Sequence, residues 1–372
     1  MGRRRRWMTS DLSVAVVGAG PSGLAAAVAL SGSARLTVFD KARGVSGRAA
    51  TRWRDASDLE GDDFRWRYDH GAQYVSPDRD SAVAAFIREH AGEELAEIDG
   101  RVVPFDDTGS VRLDQVRDDP GLRWTWPDGI AGLGRRLADV ADAEIHLKTR
   151  VTRLDHGPAG WTIEAEGANG EASSFGPFDA VLLTPPAPQA ADLVRASNVG
   201  PIDGGALADA LGAAVYRSQF SVVWAFDHAI ERPVEAYALV NAAGKGGSGG
   251  HDVAWVAVES DKPGRAPDGA SLVVAQMSDA WTEAHYVDDR EDVVRAAAEA
   301  LVRVWGPLPD PLWTDTQRWR FSLPNEEVAA EPLTAAAEHG LLVASDATAG
   351  KGRVHLAIEE GLRAAAQIRE RA

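Results

Sequence analysis

One short stretch near the start of the chain constrains the fold more than any other. Residues 14–17 are four consecutive apolar residues that run directly into Gly18, and Gly20 and Gly23 complete a G-x-G-x-x-G spacing. The pattern predicts a buried strand, a tight turn at Gly18 and a helix over 24–30. Gly20 leaves room for a pyrophosphate, and Gly23 allows the helix to pack closely on the strand. The free N–H groups at such a helix start attract phosphate.

A second strand and an acidic residue follow at the spacing of a dinucleotide-binding unit. Residues 36–39 read Leu-Thr-Val-Phe, and Asp40 stands 22 positions after Gly18. A carboxylate at this position binds a ribose hydroxyl in dinucleotide-binding folds. The alternative is an ordinary βαβ unit with a solvated Asp40. Because strand, loop, helix, strand and acid all occur in order, we expect a dinucleotide site.

The basic segment after Asp40 indicates which dinucleotide is bound. Residues 41–48 read K-A-R-G-V-S-G-R, which resembles the R-G-x-G-G-R segment of the amine oxidase and glutathione reductase-like flavoproteins. In those proteins, arginines and backbone N–H groups close over the FAD pyrophosphate, and a guanidinium suits a bidentate hold on phosphate. Ser46 stands where that family usually has Gly. The alternative is an exposed basic loop.

Further motifs extend the resemblance over nearly the whole chain. F-D-K-x-R-G-V-x-G-R-x-A-T-R over 39–52 and D-H-G-A-Q-Y over 69–74 resemble the renalase-like branch of the FAD-dependent oxidoreductases. That resemblance implies that His70–Tyr74 passes beside the isoalloxazine ring and that the backbone of Val151 pairs with the adenine. It also implies that Asp346 holds the ribityl or pyrophosphate region, with the start of the last helix at the flavin N1–C2=O edge. Ser345 replaces the usual Gly of this C-terminal motif.

The predicted cofactor-binding residues all lie in these matching segments. They are Gly18, Gly20, Pro21, Ser22, Gly23, Asp40, Lys41, Arg43, Gly47, Arg48, His70, Gly71, Ala72, Gln73, Val151, Asp346, Gly352, Arg353 and Val354. The candidates for the substrate pocket are Gln73, Tyr74 and Trp319, although a single aromatic in a strand is as readily a core residue. We assign no catalytic acid or base, because the flavin carries the reaction. We expect His70 near the cofactor, as a structural residue rather than a base.

The order of predicted elements indicates the fold class. It is α/β, with a Rossmann-type FAD-binding domain and a second α+β substrate domain built on a mostly antiparallel sheet. Both domains are predicted to be discontinuous. The FAD-binding domain takes 11–80, 143–190 and 335–372, and the substrate domain takes 81–142 and 191–334.

Hydrophobic periodicity places several elements within these domains. Residues 81–97 have helical spacing, and residues 144–154 alternate like one strand. Residues 220–226, 253–258 and 271–277 are apolar runs that predict strands of one sheet in the substrate domain.

Composition excludes several classes of function. The chain has 372 residues and no cysteine, which rules out disulfides, cysteine-ligated metals and a cysteine-linked flavin. We therefore expect non-covalent FAD, and we predict no metal. A net charge of −17 argues against nucleic acid as a partner. No run approaches the ~20 apolar residues of a membrane helix, so a cytoplasmic protein is expected.

Two compositional features leave alternatives open. Lysine is scarce, with five residues against 34 arginines, and 34 Asp exceed 22 Glu. A salt-rich cytoplasm selects such an acidic surface, and high genomic GC content also favours Arg over Lys.

The basic run over 1–7 resembles a targeting segment but lacks an apolar region after it. We favour a simple tail, or a true start at Met8.

Three functions are consistent with these motifs. The first, implied by the resemblance, is a renalase-like oxidase that oxidises misreduced dihydronicotinamide isomers of NAD(P)H with O2 as acceptor; such hydride transfer needs no base. The second is a flavin amine oxidase or desaturase. Many amine oxidases use a lysine that bridges through water to N5, and none of the five lysines lies in the expected substrate-domain strand. The third is a non-catalytic flavin-binding protein. The five lysines are Lys41, Lys148, Lys245, Lys262 and Lys351.

Overall fold

The computed structural model describes residues 12–55, 65–116, 121–242 and 250–371. The basic run at the start of the chain, most of the acidic stretch after β3 and the glycine-rich loop that contains Lys245 lie outside the described residues.

The described residues form eighteen strands and nine α-helices. The strands are β1 (Ser13–Val17), β2 (Arg35–Phe39), β3 (Thr51–Asp55), β4 (Arg65–Asp69), β5 (Ala96–Glu97), β6 (Val102–Phe105), β7 (Trp124–Thr125), β8 (Ala143–His146), β9 (Arg150–Gly157), β10 (Gly160–Glu166), β11 (Ala172–Phe178), β12 (Ala180–Leu183), β13 (Tyr216–Phe226), β14 (Ala238–Asn241), β15 (Val253–Val258), β16 (Ser271–Met277), β17 (Trp313–Pro324) and β18 (Leu341–Val343). The helices are α1 (Pro21–Leu30), α2 (Ala82–Ala91), α3 (Ala131–Val140), α4 (Ala187–Arg195), α5 (Gly204–Gly212), α6 (Asp279–Ala284), α7 (Arg290–Trp305), α8 (Ala330–Ala337) and α9 (Val354–Arg371).

The chain divides into two compact units. Unit 1 comprises residues 1–47, 133–215 and 324–372, and unit 2 comprises residues 48–132 and 216–323. Both units are discontinuous, and the two domains predicted from the sequence are discontinuous as well.

The unit boundaries differ from the predicted domain boundaries, chiefly over 48–80. These residues were predicted in the first domain, and the structure places them in unit 2. The reason is the hairpin of β3 and β4, whose Trp66 and Tyr68 are buried with Trp313 and with residues of β13 and β16. Burying large aromatic side chains is strongly favourable, so the hairpin packs with the unit that offers this apolar surface.

Unit 1 is built on a parallel sheet in the order β18-β12-β1-β2-β8. From β1 the chain passes through α1 to β2 on one side, and β12 pairs with β1 on the other side. The strand order therefore switches direction at the carboxyl end of β1, where open parallel sheets bind ligands. Helix α1 begins at Pro21, three residues earlier than predicted, because the fixed φ of proline suits the first helical position.

The single strand predicted over 144–154 is two strands in the structure. Strand β8 is the edge of the parallel sheet, and β9 belongs to a three-stranded antiparallel sheet with β10 and β11. The chain turns between them at Lys148, which has φ 55° and donates its backbone N–H to Ala42 O at 2.8 Å. Alternation alone does not reveal such a turn, because both halves have strand-like patterns.

Unit 2 is built on a six-stranded sheet in the order β17-β13-β16-β15-β14-β6. The pairs β13/β16, β15/β16 and β14/β15 are antiparallel, and β14/β6 is parallel. Strand β13 is covered on both faces: Val222 and Trp224 pack in the core that includes α7, and Val223 and Ala225 pack with the aromatic residues of the β3–β4 hairpin. Burial on both faces explains its continuous apolar run.

The helix predicted over 81–97 is shorter in the structure. Ser81 caps α2 by accepting the N–H of Ala84, and the helix ends at Ala91 before Gly92. Ala96 and Glu97 then pair with β7. Glycine disfavours helix continuation, and the strand pairing supplies the hydrogen bonds that a longer helix would have made.

The described ranges contain neither a membrane-spanning helix nor a metal-binding cluster. None of their helices combines the length and the hydropathy needed to cross a bilayer. Their Asp, Glu and His residues form no group of three that would hold a metal ion.

Candidate functional site

Two of the three glycines in the first turn are required by packing within unit 1. Gly18 has φ 109°, and a Cβ there would collide with the hydroxyl of Thr184. That hydroxyl donates to Val17 O at 2.9 Å, at the adjoining ends of β1 and β12. A Cβ on Gly23 would collide with Gly18 O. These two positions therefore form the tight turn and the close helix–strand contact that the sequence predicts.

Gly20 differs from these two glycines because the space in front of it is open. A Cβ built on Gly20 has no atom within 4 Å, and its φ of −80° is accessible to any residue. Gly47 lies against it: a Cβ on Gly47 would be 3.3 Å from Gly20 Cα. The protein thus leaves an unfilled space at the start of α1, where N–H groups of the first turn have no partner within the helix. This geometry fits a pyrophosphate.

The predicted ribose-binding acid closes the same turn. One carboxylate oxygen of Asp40 accepts the backbone N–H of Ala19 at 2.8 Å, and the other accepts that of Ala42 at 2.7 Å. Each carboxylate oxygen can accept more than one hydrogen bond, so Asp40 retains acceptor capacity for a ribose hydroxyl.

The structure explains the preference for glycine at position 46. Ser46 has φ 84°, is fully buried and donates its N–H to Ala19 O at 2.8 Å. Its hydroxyl has no hydrogen-bond partner among the described residues. The departure from the family pattern noted in the sequence thus coincides with an unfavourable backbone conformation.

The basic residues predicted at the pyrophosphate have different surroundings. Lys41 donates to the side chain of Gln189 at 2.8 Å, and Arg43 is exposed. Arg48 belongs to unit 2, where its Nη1 donates to Phe321 O at 3.1 Å and to Ser322 O at 3.3 Å. The roles of Lys41, Arg43 and Arg48 at the pyrophosphate remain predictions.

The C-terminal part of unit 1 contains the second predicted acid. Strand β18 ends at Val343, so Asp346 lies in the following turn and not at the strand end, and it is only 4% exposed. Helix α9 then begins at Val354, directly after the predicted residues Gly352 and Arg353.

Helix α9 packs closely on α1. A Cβ on Gly361 would collide with Ser22 O, and the Ser22 hydroxyl donates to Ala344 O at 2.8 Å. The Ser22 side chain therefore serves packing, and only its backbone remains for the predicted contact with the cofactor. Pro21 opens α1, and Val151 is the second residue of β9, where it pairs with Ala165.

In unit 2, the segment predicted beside the isoalloxazine is tightly fixed. The imidazole of His70 stacks on Trp319, whose indole N–H donates to His70 O at 2.7 Å. The side chain of Gln276 donates to Gly71 O at 2.6 Å. The side chain of Gln73 folds back to Asp69 O at 2.6 Å. Ala72 N donates to Arg48 O at 3.0 Å, and a Cβ on Gly71 would collide with that same carbonyl oxygen.

The titratable groups near this segment have perturbed pKa values. Burial, aided by the positive charge of Arg52, lowers the pKa of His70 to about 4, so the ring is neutral at pH 7. Burial and a hydrogen bond to Asp315 raise the pKa of Tyr68 above its usual range. Tyr74 packs on Trp255, with ring centroids 5.9 Å apart.

A group of four charged side chains next to this segment was not predicted. Asp69, Glu259, Lys262 and Arg265, here called the buried charge cluster, have no exposed side-chain area. Glu259, Lys262 and Arg265 lie in the loop between β15 and β16 whose sequence, E-S-D-K-P-G-R, has the composition of an exposed turn. Asp69 is 196 positions from Arg265, so no local pattern connects them.

The two acids of the buried charge cluster respond oppositely to it. Burial alone would raise the pKa of Asp69, but the adjacent Arg265 and Lys262 outweigh it and hold the pKa below its usual range. For Glu259, burial and repulsion from Asp69 outweigh the same cations and raise the pKa above its usual range. Each acid lies within 3.1 Å of a nitrogen of both Lys262 and Arg265, so the group pairs two carboxylates with two cations.

Comparison with known proteins places these features in one family. A family model described as "Flavin containing amine oxidoreductase" matches residues 93–369, and a model of the NAD(P)-binding Rossmann-like domain matches residues 16–90.

Three solved structures share the fold at low identity. A proposed protoporphyrinogen oxidase from Exiguobacterium sp. 255-15 has 15% identity and a TM-score of 0.75, covering 98% of this chain and 100% of that one. Cyclohexylamine oxidase from Brevibacterium oxydans IH-35A has 15% identity and a TM-score of 0.70, covering 97% and 99%. Wild-type putrescine oxidase bound to putrescine has 16% identity and a TM-score of 0.67, covering 96% and 99%. The predicted α/β fold with a Rossmann-type domain and an antiparallel second sheet is confirmed.

Proposed function

Because the chain belongs to the family of flavin-containing amine oxidoreductases, with FAD as cofactor, we propose that it is an oxidase acting on a small hydride donor. We further propose that the donor is a dihydronicotinamide, a misreduced isomer of NAD(P)H, and that O2 is the acceptor. When bound, FAD supplies the position that accepts the hydride and returns the electrons to the acceptor.

The residues of unit 1 have a binding role in this proposal. The first turn of α1, opened by Gly20, binds the pyrophosphate, and Asp40 accepts a ribose hydroxyl. Asp346 holds the ribityl or pyrophosphate region of the dinucleotide, and the start of α9 places positive potential beside the flavin. In unit 2, the segment His70–Gln73 offers a fixed, neutral surface to the flavin ring.

The position of Lys262 is the observation that favours a dihydronicotinamide over an amine. Many amine oxidases hold a water at the flavin with a lysine, and Lys262 is the one lysine among the described residues of unit 2. Its Nζ lies 2.9 Å from Asp69 Oδ2 and 2.7 Å from Glu259 Oε2, with no exposed area. A lysine engaged in two buried ion pairs is not available to hold a water at the flavin.

The protonation states near the segment also suit hydride transfer. His70 is neutral and a weak base, because its pKa is about 4. Asp69 is ionised and fully paired. A dihydropyridine transfers its hydrogen as hydride and gives an aromatic cation, so the donor requires no proton acceptor. Orientation, together with exclusion of water, is then the protein's main contribution.

Amine oxidation is the second candidate function, and two observations support it. The family and the similarity to putrescine oxidase and cyclohexylamine oxidase point to amine donors. In unit 2, the partly exposed rings of Tyr74 and Trp255 pack together with centroids 5.9 Å apart, and such an aromatic surface suits aliphatic carbon.

Anaerobic stopped-flow reduction of the FAD-loaded protein tests the two candidates. The protein is mixed with the 2-, 4- and 6-dihydro isomers of NAD and NADP, and separately with amines that include putrescine and cyclohexylamine. We expect rapid loss of the visible flavin absorption with the 2- or 6-isomer and none with amines. Free FAD at the same concentration is the control. Reduction by an amine alone would assign the chain to the amine oxidases.

Two further outcomes complete the test. Reoxidation by air with formation of peroxide supports O2 as acceptor, and persistence of the reduced flavin in air contradicts it. Failure of every donor to reduce bound FAD would reject both candidates in favour of a flavin-binding protein without catalysis.

A further inference from the structure

The buried charge cluster forms a closed network in which nearly every donor and acceptor is used. All five N–H groups of Arg265 are engaged: Nε with Glu259, Nη1 with Trp126 O and Pro127 O, and Nη2 with Asp69 and Thr125. These five distances lie between 2.8 and 3.1 Å. The planar fork of a guanidinium can satisfy partners in this fixed geometry, and an ammonium cannot.

Asp69 is the member of the network that belongs to the flavin segment. Its Oδ1 accepts from Thr51 at 2.6 Å and from Ile130 N at 2.9 Å. Its Oδ2 accepts from Lys262 and Arg265, each at 2.9 Å. Its backbone N–H donates to Glu259 Oε1 at 3.0 Å. Both the side chain and the backbone of Asp69 are therefore held by the network.

Stability alone gives little reason for this arrangement. Four buried charges carry a large desolvation cost, and apolar side chains of similar volume often replace such groups without loss of stability. The ion pairs instead fix the relative positions of the segments that they join. They hold the loop of Glu259–Arg265, the residues 125–130 and the β3–β4 hairpin at one point, and that point is the residue before His70.

Neutral groups also hold the segment. Trp319 stacks on His70 and donates to its carbonyl, and Gln276 donates to Gly71 O. Between these and the cluster, His70 N and Ala72 N donate to Ala50 O and Arg48 O at 3.2 and 3.0 Å. The backbone of 69–72 is thus held both by the charged cluster and by neutral groups.

We propose that Glu259, Lys262 and Arg265 are positioning residues, which hold the His70–Gln73 backbone against the flavin ring through Asp69. This inference rests on the proposed function, because it takes that segment to contact FAD. Reaction rates depend steeply on such placement, and a misplacement of about 1 Å can cost about 10²-fold.

A neutral double substitution tests this role in the FAD-loaded protein. Glu259→Met combined with Arg265→Met removes one anion and one cation and leaves the Asp69–Lys262 pair intact. We expect a folded protein in which the limiting rate of flavin reduction falls about tenfold or more, while the donor concentration for half-maximal rate changes less than about threefold. The donor is any compound that reduces the wild-type protein.

Two readouts do not depend on turnover. We expect the visible circular dichroism of bound FAD to change, and backbone amides of 69–73 to exchange hydrogen faster. Arg265→Lys retains the charge without the planar fork, so it should show intermediate changes. A double variant that folds and has wild-type reduction, dichroism and amide exchange would overturn the proposal.

A nearby ion pair provides the matched control. Arg232 and Asp261 form a bidentate pair at 2.7 Å, partly exposed, and Asp261 lies in the same loop as Lys262. Arg232→Met with Asp261→Asn should leave all three readouts at wild-type values. If the cluster variant exchanges amides faster but its FAD dichroism is unchanged, the segment is positioned by the cluster but does not contact the flavin. That result would refute the flavin contact and leave the positioning role intact.

Discussion

The imidazole of His70 lies nearly parallel to the indole of Trp319, with ring centroids 5.3 Å apart and planes inclined by 8°. The indole N–H also donates to the carbonyl of His70, so one side chain fixes both the ring and the backbone of the same residue. From the sequence alone, Trp319 could be either a pocket residue or a core residue. The structure shows it partly exposed and bound to the predicted flavin segment.

Two substitutions separate the contributions of Trp319. Trp319→Phe keeps an aromatic face but loses the hydrogen bond, so we expect a loss of about 1 kcal/mol in the free energy of unfolding. Trp319→Leu loses the stacking as well and should cost about 1 kcal/mol more. Urea denaturation measures both. Equal stability of the two variants would contradict a contribution from the stacking.

The lowered pKa of His70 predicts a dependence of stability on pH. Above pH 6.5 the ring is neutral in both states; as pH falls, the unfolded chain binds a proton that the native state excludes until about pH 4. The free energy of unfolding therefore falls between pH 6.5 and about 4, by up to about 3 kcal/mol from this group. His70→Phe should flatten this part of the stability curve. A variant curve parallel to that of the wild type would show that His70 titrates normally.

Gly20, just before α1, and Gly23, within it, should respond differently to alanine. At Gly20 nothing lies within 4 Å of the added Cβ, so Gly20→Ala should change the free energy of unfolding of FAD-free protein by less than about 1 kcal/mol. The methyl group would occupy the open space, so FAD affinity should fall. Gly23→Ala collides with Gly18 O and should destabilise the protein itself. Denaturant unfolding measures the stability of both variants, and fluorescence titration with FAD measures their affinity for the cofactor. Wild-type affinity in Gly20→Ala would place the pyrophosphate elsewhere.

Substitution of predicted FAD ligands tests the cofactor assignment residue by residue. Arg43→Ala and Asp346→Ala should each weaken FAD binding, measured as flavin retained after gel filtration. Asp142→Ala, at an exposed acid of unit 1, is the control and should retain wild-type flavin. Full retention in both test variants would remove Arg43 and Asp346 from the site.

Ser46→Gly should stabilise the protein. The substitution relieves a positive φ of 84° and removes a buried hydroxyl that has no partner among the described residues. We expect a gain of about 1 kcal/mol in the free energy of unfolding, because the left-handed conformation costs about 1–2 kcal/mol for a side-chain-bearing residue. Ser46→Ala, which keeps the backbone strain, is the comparison. A stability gain in Ser46→Ala but not in Ser46→Gly would attribute the cost to the hydroxyl.

The nucleotide-binding elements could be predicted because their signals are local. Strand β1, the glycine turn, α1 and Asp40 occupy one continuous stretch, and each residue has a stereochemical reason for its position. The main departures were at element ends, as where α2 ends at Ala91 and where β8 and β9 separate at Lys148. Hydrophobic spacing continues across both points, so it gives no indication of the turn.

The buried charge cluster could not be predicted for the opposite reason. Lys262 and Arg265 stand among Asp, Pro and Gly, a composition typical of solvated turns. Their burial depends on Asp69, which reaches them only because the β3–β4 hairpin packs on the sheet of unit 2. Oppositely charged residues that are distant in the chain and sum to zero charge change neither the periodicity nor the composition of the sequence, so these features cannot reveal that they pair.

Because unit 1 is built from three separate segments of the chain, its sheet can be completed only late in translation. Strand β18 and helix α9 are made after all of unit 2, and yet β18 pairs with β12 and α9 packs on α1. While residues 324–371 are still unsynthesised, the nascent chain exposes an unpaired edge at β12 and an apolar face on α1. Unit 2 already has its full sequence at that stage. The nucleotide-binding fold therefore depends on a segment that is synthesised after unit 2, and a nascent chain released before that segment is made would present the open strand edge for aggregation.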